Sequence, residues 1–237
     1  MLRLDRVSIY DRENNIPIIK LIDLEIRKNE LVAFVGCSGS GKTTLANLLV
    51  GMLPSSLEVQ GKVLWNDHAI SQATLAAQHT SILHPDLTIK EQLSLFARGH
   101  VQIKKILHYL GLAEQVLTQY PYQLSGGMGK RVLTCMALIQ ESLFVVADEP
   151  TCGLDEVNAK KLLSLYHSWS RLYAGVMVIS HDLPLMSQFA DRIFIMNSGS
   201  LIEDVTPKQI VKGDCSSYTR ALWQAQPKFW QNTIGKE

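Results

Sequence analysis

The stretch Gly36-Cys37-Ser38-Gly39-Ser40-Gly41-Lys42-Thr43-Thr44 constrains this chain more than any other. It satisfies G-x-x-x-x-G-K-[ST], a phosphate-binding loop pattern, at every fixed position. Its glycines let the backbone turn so that successive N–H groups point inward at an anion. Lys42 then reaches the β- and γ-phosphates of a nucleotide, and the Thr43 hydroxyl can ligate Mg²⁺. The flanks agree. Leu31-Val32-Ala33-Phe34-Val35 is a short apolar run of the kind that makes a buried parallel strand. Beyond the loop, Leu45, Leu48, Leu49 and Met52 recur at helical spacing, so the loop ends at a helix N-terminus, where the macrodipole favours phosphate. A Gly/Ser-rich surface turn would carry the glycines but not this strand and helix.

With 237 residues, the chain suits one large α/β domain or one domain with an inserted lobe. Its 23 basic and 22 acidic side chains leave a net charge of +1, so no basic field exists for a nucleic-acid backbone and no nucleic-acid partner is expected. Cys37, Cys135, Cys152 and Cys215 lie far apart without C-x-x-C spacing, which suggests neither a zinc site nor a disulfide framework. Cys37 inside the loop points to a reducing compartment, because oxidation there would disturb phosphate binding. The N-terminus alternates charged and aliphatic residues, unlike a signal peptide. No apolar run approaches the roughly 18 residues that a membrane span needs. The expectation is a soluble chain whose membrane role comes through a partner.

In chain order, residues 2–10 alternate as a half-buried strand, and residues 18–26 read as a second strand pair around Asp23. Antiparallel strands therefore precede the loop. Tyr10 is either an ordinary strand-end aromatic or a platform for adenine, since an aromatic face stacks on a purine. Residues 61–65 and 75–78 read as strands, the latter ending in Gln78. Residues 79–140 read as a helical lobe inserted into the α/β core. Ser125 can cap the helix carrying Met128, Val132, Met136 and Ile139, while Gly126 and Gly127 expose N–H groups there, a second anion site. Residues 143–150 form an aliphatic strand ending in Asp148 and Glu149. Alone, that pair is a solvated turn; downstream of a phosphate loop, it suits holding Mg²⁺ (Asp148) and activating water (Glu149). A helix over 155–173, a strand over 175–179 ending near His181, a hairpin around residues 193–202 and a short helix around Tyr218 to Trp223 complete the pattern.

Together these motifs resemble the ATP-binding cassette family, over nearly the whole chain and in the family order. Leu124-Ser125-Gly126-Gly127, then the Asp148-Glu149 strand, then His181, carries that resemblance far more specifically than the phosphate loop alone. Met128 after the two glycines, Ala147-Asp148-Glu149-Pro150-Thr151 and Tyr218-Thr219-Arg220-Ala221-Leu222 are similar to the peptide and nickel importer branch. The resemblance implies an α/β fold: a RecA-like core with an N-terminal antiparallel β region (residues 1–78 and 141–206), a helical subdomain (79–140) and a tail (207–237). It implies that Gly36 to Thr44 hold ATP, that Tyr10 stacks on adenine, and that Ser125, Gly126, Gly127 and Asp155 serve a facing subunit. Thr43, Gln78 and Asp148 are then the Mg²⁺ residues, and Glu149, His181 and Gln78 the catalytic ones.

The partners implied are polytopic membrane permease subunits, a second cassette subunit in a heterodimer rather than a homodimer, and indirectly an extracytoplasmic solute-binding protein. The chain would then sit peripherally on the cytoplasmic face of the inner or plasma membrane. The cargo expected is nickel or a metal chelate ahead of peptides, because oligopeptide-type subunits run longer and carry a cysteine-containing extension where this tail has only Cys215. Two other readings stay open. A soluble cassette ATPase on DNA or ribosomes would call for a coiled coil, a zinc module, a second cassette or a basic face. A small-molecule P-loop kinase would not need Leu124 to Gly127 at a helix start.

Overall fold

The computed structural model describes residues 1–65, 73–76, 79–97, 103–140, 142–172 and 175–225. Strands β1 (Leu2–Asp11), β2 (Pro17–Ile26) and β4 (Leu57–Trp65) form an antiparallel sheet in the order β2-β1-β4. A second sheet has the order β5-β6-β7-β3-β8-β9. Its members are β3 (Leu31–Gly36), β5 (Ala73–Ala76), β6 (Phe144–Asp148), β7 (Gly175–Ser180), β8 (Arg192–Asn197) and β9 (Ser200–Val205). All of its neighbours run parallel except the β8–β9 hairpin.

The continuous apolar runs of β3, β6, β7 and β8 have one cause: both faces of this sheet are covered. On β3, Val32 and Phe34 enter a core shared with the antiparallel sheet and α1 (Lys42–Leu49), while Leu31, Ala33 and Val35 enter a core beneath the helices on the other face. The same period of two divides Val145 and Ala147 from Phe144 and Val146 on β6, and Val176 and Val178 from Met177 and Ile179 on β7. Phe34 and Phe194 meet across the β3–β8 pair with ring centroids 4.7 Å apart. Side chains buried this fully contribute about 1.5–3 kcal/mol each, so the double-sided sheet is where most of the stability resides.

The helices begin where their sequences supply caps. Thr88 and Glu91 exchange bonds as a capping box ahead of α2 (Ile89–Phe96). Helix α3 (Ile103–Tyr109) leads to α4 (Gly126–Leu138), whose N-cap Ser125 accepts from the Met128 N–H at 3.3 Å. Helix α5 (Glu156–Leu172) starts behind Asp155, which accepts from the Asn158 N–H at 2.9 Å. Helix α6 (Leu183–Met186) is capped by Asp182, and α7 (Pro207–Lys212) by Thr206 and Gln209. Helix α8 (Ser217–Gln224) is tied to β9 by Glu203, which accepts from Ser216 N–H and Thr219 Oγ1. No described helix is long and apolar enough to cross a membrane.

Three sequence expectations are corrected. Residues 18–26 are not a strand pair: β2 is one strand paired to β1 through register shifts. Leu21 takes a φ of 44°, and Asp23 accepts the Arg6 N–H at 2.8 Å. An irregularity within one strand mimics a turn, because both interrupt the period of two. The helix after the loop ends at Leu49, and Met52, expected on its apolar face, is exposed beyond the left-handed Gly51. The tail after residue 207 holds α7 as well as the single helix expected.

Gly36 joins this fold to the site. It closes the β3–β8 register opposite Met196, and a Cβ on it would lie 2.1 Å from the Met196 carbonyl oxygen. The Gly36→Ala variant is expected to lose about 2–3 kcal/mol of stability in urea unfolding, since backbone rather than a flexible side chain must yield.

Candidate active site

The C-terminal ends of β3, β6 and β7 open on one side of the parallel sheet, where ligands of such sheets bind. From β3, the chain passes through Cys37 to Gly41 into α1. Gly39 and Gly41 take φ of 76° and 96°, a conformation that disfavours any residue with a Cβ. Lys42 is buried in the resulting cradle. Its Nζ donates to Gly36 O and Cys37 O, both at 2.8 Å, and to Ser40 Oγ at 3.1 Å. Burial lowers the Lys42 pKa, opposed by the carboxylates of Glu149 and Asp148.

From β6 come the carboxylates. Thr43 Oγ1 donates to Asp148 Oδ2 at 2.9 Å, joining the first turn of α1 to the strand end. Burial raises the Asp148 pKa, with the Thr43 bond and the Lys42 charge acting against it and Glu149 acting with it. Glu149 follows in a left-handed conformation, φ 44°, uncommon for a side chain of this size and a sign of a site held against local preference. Its Oε1 lies 3.0 Å from Nδ1 of His181, the residue just past β7. Its Oε2 is buried and has no hydrogen-bond partner among the described residues. A buried carboxylate oxygen without a donor belongs where a ligand or water brings one.

A cavity of about 580 Å³ is lined by Gly36, Ser38, Gly39, Gly41, Lys42 and Thr43, and also by Thr44, Asp148, Glu149 and His181. The structure thus brings together most of the residues expected from sequence. Gln78 lies outside the described residues. Tyr10 does not line this cavity, but its strand partner Pro17 precedes Ile18, which does. Ser125 and Gly126 do not line it either, and Gly127 lines a different cavity. Asp155 is engaged with Asn158, whose hydrogen bonds hold its carboxyl below the ordinary value.

Sequence reasoning missed three residues here. Cys152 and Ile18 line the cavity, and burial lowers the pKa of Lys130 on α4, with the Glu149 charge acting against it. Cys152 was accessible from its place between Glu149 and Asp155. Ile18 and Lys130 carry no local signal, since other elements deliver them.

A glycine cradle around a buried lysine, facing a hydroxyl-bridged strand-end carboxylate, is the site of a P-loop nucleotide-binding protein. Residues 19–152 match the family described as ABC transporter. The oligopeptide transport ATP-binding protein OppD of Lactococcus lactis subsp. cremoris (strain SK11) is 30% identical over 233 residues, covering 87% of this chain and 69% of OppD. The metal-staphylopine import system ATP-binding protein CntD of Staphylococcus aureus (strain NCTC 8325 / PS 47) is 28% identical, covering 97% of this chain and 94% of CntD. A dimeric ATP-binding cassette, MJ0796, in a post-hydrolysis state bound to ADP and Pi, matches with a TM-score of 0.74 at 26% identity, over 87% of this chain and 99% of that one. The chain belongs to the ABC transporter family.

The raised Asp148 pKa has a testable sign. The folded chain binds this proton more tightly than the unfolded chain, so the ionised carboxylate costs stability above the folded pKa. Asp148→Asn is therefore expected to raise the unfolding midpoint of the nucleotide-free chain at neutral pH. That gain should shrink as pH falls through the folded pKa and vanish below the ordinary value of 3.8. Thermal unfolding of both chains across that range checks it.

Proposed function

We propose that this chain is the ATP-hydrolysing subunit of a membrane importer for nickel, a metal chelate or peptides. The observation that carries this is the joining of the Lys42 cradle to Glu149 and His181 in one cavity. The naming of OppD as an oligopeptide transport ATP-binding protein and of CntD as the ATP-binding protein of a metal-staphylopine import system supports the transport assignment.

Lys42 neutralises the β- and γ-phosphate oxygens, exchanging bonds to its own loop for bonds to the triphosphate. Tyr10 stacks on adenine beside Ile18. Mg²⁺ fits the Thr43–Asp148 pair, with Gln78 completing the set; it would spread the charge developing on the phosphates. Glu149 polarises the attacking water through the oxygen that lacks a partner, and His181 orients Glu149 at its other oxygen. Electrostatic positioning is the main catalytic effect, because phosphoryl transfer asks for little covalent help.

Ser125, Gly126 and Gly127 stand at the start of α4, away from the chain's own phosphate-loop cavity. That separation supports a role in trans: with Asp155, they meet the nucleotide of a facing cassette, which we infer to be a different subunit. ATP then glues two cassettes together, and closure drives the permease subunits served by a solute-binding protein. Residues 1–78 and 141–206 would be the core that holds ATP, 79–140 the helical subdomain that contacts the permease, and 207–237 the tail, all at the cytoplasmic face of the membrane.

Lys42→Ala is expected to lose ATP binding and hydrolysis together, measured in the assembled transporter; wild-type turnover there would remove the loop from the mechanism. Glu149→Gln should bind ATP and stall as a closed dimer. Sizing that chain alone with ATP tests the pairing, since a stable homodimer overturns the heterodimer assignment; hydrolysis by a strict monomer of the wild-type chain overturns action in trans. Nickel, metal-chelate and peptide uptake by cells lacking the chain identifies the cargo, and unaffected uptake of all three sinks the importer reading.

A further inference from the structure

Between α5 and the layer of α3 and α4 lies a cavity of about 670 Å³ that shares no residue with the phosphate-loop cavity. One wall is a stripe of α5. Asn158, Lys161, Leu162 and Leu165 stand at i, i+3, i+4 and i+7, so a single helix face presents an amide, an ammonium and two aliphatic side chains. The facing wall comes from the end of α3 and the first turns of α4. Tyr109 is held there by its hydroxyl, which donates to Leu165 O at 3.1 Å, and by an edge-on contact with Trp169 at 5.7 Å. Arg131 is fixed by Nε donating to Gly127 O and Nη1 donating to Gly111 O, each at 3.2 Å. Gly111 permits that approach by taking a φ of 65°. Hydrogen bonds therefore set both walls before any ligand arrives.

The charge in this cavity has one sign. Arg131, Lys160 and Lys161 line it, and no carboxylate does. The acids next to it in sequence are bonded to two of its wall residues: Asp155 accepts from both nitrogens of Asn158, and Glu156 pairs with Lys160 at 2.8 Å, which neutralises that lysine. Arg131 and Lys161 remain, beside an apolar surface of Tyr109, Leu110, Leu162 and Leu165. Its volume falls in the range of several hundred Å³ typical of small-molecule sites, which are apolar with a few placed polar groups. Two cations in so apolar a setting do not suit a polyphosphate, which needs a denser set of donors.

We propose that this seam binds a small organic anion with an aromatic or aliphatic body. Its carboxylate or sulfonate is set against Arg131 and Lys161, and its body lies on Tyr109 and Leu165. The site is separate from the chain's own phosphate-loop cavity, since Lys42, Thr43, Asp148 and Glu149 take no part in it; of the residues assigned above to a facing nucleotide, Gly127 alone lines it.

The probe is 8-anilinonaphthalene-1-sulfonate, an aromatic sulfonate, titrated by fluorescence into the full chain saturated with ADP. One saturable class of site is expected. Lys161→Glu should weaken it roughly tenfold, the loss of one charge-assisted contact, while Lys161→Arg keeps it. Ser164→Trp, which fills the cavity from its rim, should abolish it. Lys161 and Ser164 are exposed on α5, so neither change disturbs the core. Equal affinity in the wild-type chain and Lys161→Glu overturns the proposal. So does a dye site that the nucleotide-free chain shows and the ADP-saturated chain lacks, which would put the dye in the phosphate-loop cavity.

Discussion

A lysine ammonium drawn out of water must be surrounded by oxygen, and that requirement governs the architecture around Lys42. Desolvation disfavours its charged form, and the three loop acceptors with the Asp148 and Glu149 carboxylates oppose that tendency. Two of the acceptors are main-chain carbonyls at the exit of β3, so the lysine is only as well placed as that strand. Strand β3 in turn is fixed between β7 and β8, with both of its faces buried. The contact of Gly36 with Met196 thus belongs to the fold and to the site at once.

The carboxylates carry the reverse burden. Asp148 is buried and held toward its protonated form, and Glu149 occupies a backbone conformation that few residues adopt. Neither arrangement favours stability in the nucleotide-free chain. Both suit a pocket that receives a nucleotide, whose polyphosphate charge the folded chain alone does not supply. Local expense of this kind is carried by the two large apolar cores on either side of the parallel sheet.

The helical layer divides its polar groups between two duties. Ser125 and the glycines after it leave N–H groups at the start of α4, while Arg131, one turn on, ties that start to the end of α3. The same arginine bounds the seam against α5. A short stretch of α4 thereby carries the N–H groups of a helix start and a wall of the seam, to which Gly127 and Arg131, one turn apart on one face, both contribute.

Sequence by itself determined the parts whose cause is local. The loop glycines, the buried strands read from unbroken apolar runs, the Ser125 cap and the strand-end Asp148-Glu149 pair each follow from residues within a few positions of one another. The caps of α7, Thr206 with Gln209 and Gly213 beyond, were equally local and went unread, because a short helix has too few apolar positions to show a period. Tertiary structure alone decided what distant segments share. Period-two alternation says that a strand has two faces, but not which core each face enters. That Ile18 lines the phosphate-loop cavity, that Lys130 feels the charge of Glu149, that His181 meets one oxygen of Glu149, and that α5 meets α3 across a cavity are consequences of strand order and helix packing. Residue spacing carries no record of those, because contacts made across the fold leave no periodic trace along the chain.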